Sequence, residues 1–167
     1  MSGFHHRIPL ERIGRQPSPV RLVAGPAARE EVRARFDLLA LDRLEADLEV
    51  WRVPGGAEVR GEMLADVVQR CVVSGEPVPA ALKEPLHLRF LPLPETEEEI
   101  ELGAEDLDVM PVEEGAIDLG EAVVQSLALG LPQYPRLEGA RVPGVLSEDE
   151  AEALRQRESP FSVLRKA

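Results

Sequence analysis

Cys71, three histidines and many carboxylates are the side chains of this 167-residue sequence best suited to bond-making chemistry. Cys71 lies in the segment Gln69-Arg70-Cys71-Val72-Val73-Ser74-Gly75-Glu76-Pro77. A thiolate nucleophile needs a neighbouring base or a positive field. His5, His6 and His87 show no spacing that supplies a base, and Arg70 would point to the opposite face of a strand. Cys71 therefore reads as a small buried apolar residue at a strand end. His5 and His6 read as surface residues of a flexible end. Zinc requires about four ligands at close spacing, which one cysteine and three scattered histidines do not provide. The sequence has no Gly-rich phosphate loop, no Gly-x-Ser-x-Gly elbow and no calcium loop. A carboxylate pair stays open, because abundant Asp and Glu give no positional signal. These residues predict no enzyme activity, no metal and no cofactor.

The cysteine is flanked by two alternating runs. Ala57, Val59, Gly61, Met63, Ala65 and Val67 fall on one side, against Glu58, Arg60, Glu62 and Asp66, with Leu64 the one breach. Leu82, Leu86, Leu88 and Phe90 then oppose Lys83, His87 and Arg89. A period of two predicts half-buried strands, and Gly75 and Pro77 supply the turn between them. The expected fold is α+β, an antiparallel sheet centred on a long hairpin over residues 57–90, with two or three helices. Whether the sheet curls into a barrel is left open by the pattern.

Further elements follow from punctuation. Val20 to Ala24 is a predicted strand, and Ala27 to Phe36 a helix with Pro26 in its first turn. Leu48, Val50, Trp51 and Val53 predict a strand ending at Pro54-Gly55-Gly56, which makes a three-stranded meander with the hairpin. Asp118 and Glu121 form a capping-box signal for a helix through Leu129 that Gly130 and Pro132 stop. Ser147 and Glu150 announce a short polar helix to about Arg157, followed by the apolar anchor Phe161, Val163 and Leu164. A length of 167 residues predicts a single domain, 1–167.

The net charge of −12 is uneven. Residues 1–36 carry seven positive and three negative charges, residues 37–135 six and 22, and residues 136–167 six of each. Residues 95–114 hold ten acids and no Lys or Arg, which predicts an open, mobile acidic loop. Its apolar Ile100, Leu102, Leu107, Val109 and Met110 also suit a binding surface for a basic partner. The acidic middle disfavours direct RNA contact, whose affinity rests on Lys and Arg. Only the arm with Arg7, Arg12, Arg15, Arg21, Arg29, Arg33 and Arg35 offers such contact, and scattered arginines more commonly pair with nearby acids. No apolar run reaches the roughly 20 residues of a membrane span, and no secretion signal opens the chain. The reading is cytoplasmic.

Gln69 to Pro79 resembles the central motif of the DUF177 or YceD family, the large ribosomal RNA subunit accumulation proteins. Ile117-Asp118-Leu119-Gly120-Glu121, then Tyr134-Pro135-Arg136, is similar to its second block, and Ser159-Pro160-Phe161-Ser162-Val163-Leu164 to its Asn-Pro-Phe-x-x-Leu ending. Many relatives have Cys-x-Arg-Cys at the bend, where this chain has Val68-Gln69-Arg70-Cys71, so no metal role transfers. The resemblance implies a role in accumulation or processing of large-subunit ribosomal RNA without established catalysis. It also suggests a small, basic large-subunit ribosomal protein, or an assembly intermediate, as partner, since the two genes are commonly neighbours. The motif candidates for binding are Gln69, Arg70, Cys71, Gly75, Glu76, Pro77, Tyr134, Pro135, Arg136, Pro160 and Phe161. The candidate acidic surface is Glu97, Glu98, Glu99, Glu101, Glu105, Asp106 and Asp108. The expected function is a non-enzymatic ribosome-assembly factor that binds a basic ribosomal protein. The alternative is an RNA-binding or RNA-processing protein acting through the Arg-rich amino-terminal region or Cys71.

Overall fold

The computed structural model describes residues 4–92 and 108–139, together with positions 149, 152 and 153. Its centre is the expected hairpin. Strand β4 (Gly56–Arg70) and strand β5 (Pro77–Leu91) pair antiparallel without a break, from Ala57 opposite Phe90 to Arg70 opposite Pro77. Ala57, Val59, Met63, Ala65 and Val67 are buried, as are Leu86, Leu88 and Phe90. The polar residues between them face outward, so the period of two has become one dry and one wet face. Each fully buried Val, Leu, Met or Phe contributes about 1.5–3 kcal/mol of transfer free energy.

Strand β3 (Ala40–Val53) joins β4 through the two-residue turn Pro54-Gly55, giving the meander. It is longer than its sequence pattern predicts. The register shifts between Leu41 and Arg43, so the buried set runs Leu41, then Leu44, Ala46, Leu48 and Val50. The bulge changes the parity of the strand and hides its first half from a period-two reading. Trp51 lies out of that buried set and is half-exposed. At the middle of the β3–β4 pair, a Cβ on Gly61 would collide with the Asp47 carbonyl, so only glycine permits this close crossing.

Strand β2 (Ser18–Val23) adds to β3, and strand β6 (Asp108–Pro111) adds to β5 in parallel. The sheet order β2-β3-β4-β5-β6 is open, with no barrel closure among the described residues. Residues 108–111 belong to the stretch read as an open loop, and they are ordered because Met110 is buried beside Phe90. Residues 93–107 lie outside the described residues.

Two helices cover the dry face. Helix α1 (Pro26–Arg35) packs on β3 through Val32, and helix α2 (Leu119–Gly130) packs on β4 and β5. Strand β1 (Arg7–Pro9) pairs antiparallel with strand β7 (Ala116–Asp118), and α2 (Leu119–Gly130) follows β7 directly. Asp118 accepts from the Glu121 N–H at 3.1 Å, the expected N-cap. The reciprocal half of the capping box is replaced. Glu121 instead receives Arg35 of α1 at 3.0 and 3.1 Å, tying the two helices together. The predicted helix beyond Ser147 falls mostly outside the described residues; positions 149, 152 and 153 are helical.

Candidate functional site

The bend of the central hairpin is built by its own backbone. The ladder continues one pair beyond Arg70, with Cys71 N–H donating to Glu76 O at 2.8 Å, and Gly75 N–H returns to Cys71 O at 2.9 Å. Gly75 has φ of +77°, a conformation that L side chains rarely adopt, which accounts for glycine in the motif. The Ser74 hydroxyl accepts from Glu76 N–H at 3.4 Å. Val72, at the tip, is 58% exposed.

The segment leaving α2 runs back along this bend. Gln69 Nε2 donates to Pro132 O at 3.1 Å, and Val72 N–H donates to Pro135 O at 2.9 Å. Leu137 N–H and Ser74 N–H both reach Cys71 Sγ at 3.5 Å. The two motif segments, more than 60 residues apart in the chain, thus form one surface knuckle. It gathers Gln69, Arg70, Cys71, Gly75, Glu76 and Pro77 with Tyr134, Pro135 and Arg136. Pro160 and Phe161 lie outside the described residues. Tyr134 is 79% exposed and presents its ring outward.

Cys71 is buried, as its strand-end position predicts, but its surroundings are not apolar. The Ser74 side chain and the Leu137 and Ser74 backbone amides stabilise its anion and lower the thiol pKa to about 6. Among the described residues no histidine or carboxylate hydrogen-bonds to the sulfur, and no group of three or more His, Cys, Asp or Glu is placed to hold a metal ion. The knuckle thus combines an exposed ring, a fixed backbone and a sulfur held by two amides.

Charge is distributed with equal order. On the wet face of the sheet Arg21 pairs with Asp47, Arg43 with Glu45, Lys83 with Glu62, and Arg89 and His87 with Glu58. Burial pushes the Glu58 carboxyl up, but the His87 and Arg89 hydrogen bonds outweigh it and leave the pKa lowered. The amino-terminal arginines are mostly engaged. Arg7 meets Glu114, Arg33 meets Glu30, Arg35 meets Glu121, and Arg29 donates to the Asp42 carbonyl. Of the acidic candidates Asp108 is exposed at the start of β6; Glu97, Glu98, Glu99, Glu101, Glu105 and Asp106 lie outside the described residues.

Some polar anchors went unread in the sequence. His5, expected at a flexible end, hydrogen-bonds Asp118 at 2.6 Å, and His6 N–H donates to the same carboxylate at 3.0 Å. Burial raises the Asp118 pKa, yet these bonds and that from Glu121 N–H hold it lowered. Glu84 occupies an apolar-side position of β5 between Leu82 and Leu86, half-buried against Gly130 at the end of α2. The missing apolar residue at position 84 was its only signal.

The family model described as Large ribosomal RNA subunit accumulation protein YceD matches residues 59–166. The match begins inside β4 and takes in both halves of the knuckle. Neither the curated proteins nor the solved structures contain a match to the chain.

Proposed function

The chain belongs to the YceD family, and from that premise we propose that it supports accumulation of the large-subunit ribosomal RNA by binding a basic ribosomal protein. The family's name ties it to that RNA. The partner is our own reading, and one observation carries it: the nine acids of the five-stranded sheet are nearly matched by its seven Lys and Arg, so the net charge is concentrated elsewhere. Residues 93–107 alone contribute Glu95, Glu97, Glu98, Glu99, Glu101, Glu105 and Asp106 with no Lys or Arg, seven of the twelve net negative charges. An anionic segment of this density attracts cationic chains at long range and screens them from premature RNA contact. Four of the seven amino-terminal arginines, Arg7, Arg21, Arg33 and Arg35, pair with acids of the same chain, which favours this reading over an RNA contact through that arm.

The reading predicts salt-sensitive association, because exposed charges separated by more than about 10 Å are screened at 0.1 M salt. Titration with purified basic large-subunit ribosomal proteins at low and at high salt tests it. Tight binding at low salt that weakens steeply at high salt is expected. Negligible binding to every such protein at both salts ends the reading.

A further inference from the structure

Among the described residues, the outer edge of β5 is open over most of its length. Strand β6 pairs with Leu88 to Leu91 only, and among the described residues no strand pairs with the edge from Pro77 to Leu86. Which groups face that edge follows from the ladder. In an antiparallel pair each residue directs both its N–H and its C=O to one side, and the side alternates. Leu91 O accepts from Val112 N–H at 2.9 Å, on the β6 side. The register with β4 is unbroken, so Pro77, Pro79, Ala81, Lys83, Pro85 and His87 face outward as Leu91 does. Three of these six are proline. The His87 carbonyl takes the Asp108 N–H in the β6 pairing, so the open edge presents five carbonyls, those of Pro77, Pro79, Ala81, Lys83 and Pro85, against only the N–H groups of Ala81, Lys83 and His87.

Such an edge is poorly matched to another strand, which must both donate and accept in alternation and would leave its own carbonyls without partners. It is well matched to groups that only donate. Lysine and arginine side chains are of that kind, with three and five donors and no acceptor. Beside the edge, at the start of β6, a groove of about 180 Å³ is lined by Glu84, Pro85, Asp108, Ser126, Leu129 and Gly130. Leu129 is 79% exposed there, an apolar surface of the kind that covers the methylene stem of a long cationic side chain. The Glu84 and Asp108 carboxylates supply the complementary charge. Lys83, the one cation on the edge, is turned to the wet face and bridges Glu62 at 3.5 Å.

We propose that the donor-poor edge of β5, with the groove at the end of α2, seats lysine and arginine side chains of a basic protein partner. This rests on the functional reading above and gives that partner a place on the fold.

Nuclear magnetic resonance titration of the isotope-labelled full chain with nona-arginine at low salt tests the assignment. Amide shifts at Ala81, Lys83 and His87, and at Ser126 to Gly130, are expected. Absence of binding, or binding that leaves these amides unmoved, overturns it. Leu129→Lys places a like charge in the groove and is expected to weaken nona-arginine at least about tenfold in fluorescence anisotropy. Unchanged affinity in this variant also overturns the proposal, and if the variant fails to fold the parent's shift map decides alone. Shifts at the edge without binding of any basic ribosomal protein would end the functional reading and keep the edge. Ribosomal-protein binding that leaves these amides unmoved would do the reverse.

Discussion

Cys71 holds two loops at one sulfur atom, accepting from an amide of its own bend and from Leu137 beyond α2. Because both donors favour the thiolate, folding lowers the thiol pKa, and the sign of the pH dependence follows. The stabilisation is complete above the unfolded value near 8.5 and is lost as pH falls through about 6. Cys71→Ala leaves two amides without this acceptor and is expected to lower the urea midpoint at pH 9. The gap between variant and parent should narrow as pH falls to 5, which urea denaturation at three pH values will measure. A gap that does not change with pH would mean that the sulfur stays protonated throughout. The burial of Cys71 was legible from its place at a strand end. Its polar neighbours were not, because Leu137 is 66 residues away and arrives only through the turn after α2.

Among the elements, the hairpin was the most legible, since the buried residues keep one parity from Ala57 to Val67 on β4 and from Leu86 to Phe90 on β5, with Leu64 a lone breach in the sequence pattern. Strand β3 was legible only after the bulge near Asp42, and β1 and β7 are three residues each and exist by pairing with one another. Strand β6 was masked by the acids around Val109 and Met110. Both halves of the knuckle stood out as separate motifs, but no local pattern foretold that Gln69 would bond to Pro132. Proline placement on β5 has a consequence of its own at this scale. Pro85→Val restores a donor to the open edge, and sedimentation velocity should then show self-association that the parent lacks at equal concentration. A variant as monodisperse as the parent would mean that the prolines do not guard this edge. The opposite edge carries the same device, since Pro19 faces outward from β2.

For the whole molecule, fold and charge are separable. The sheet, its two helices and the β1–β7 pair account for the buried core, while the anionic excess belongs largely to residues between β5 and β6. Replacing Glu95, Glu97, Glu98, Glu99, Glu101 and Glu105 by Gln, and Asp106 by Asn, takes the formal charge from −12 to −5. Association with basic proteins at low salt is then expected to weaken at least about tenfold. Neutralising the Arg21 and Asp47 pair should leave it within about twofold, both compared by the same titration. Equal binding by all three proteins would detach the interaction from net charge. The parallel β5–β6 pair, finally, fixes both ends of that connection to neighbouring strands. Doubling the length of such a connection costs only about 0.6 kcal/mol in closure entropy. Descent can therefore lengthen or shorten the tract, and so dose its electrostatics, almost without touching the scaffold that carries it.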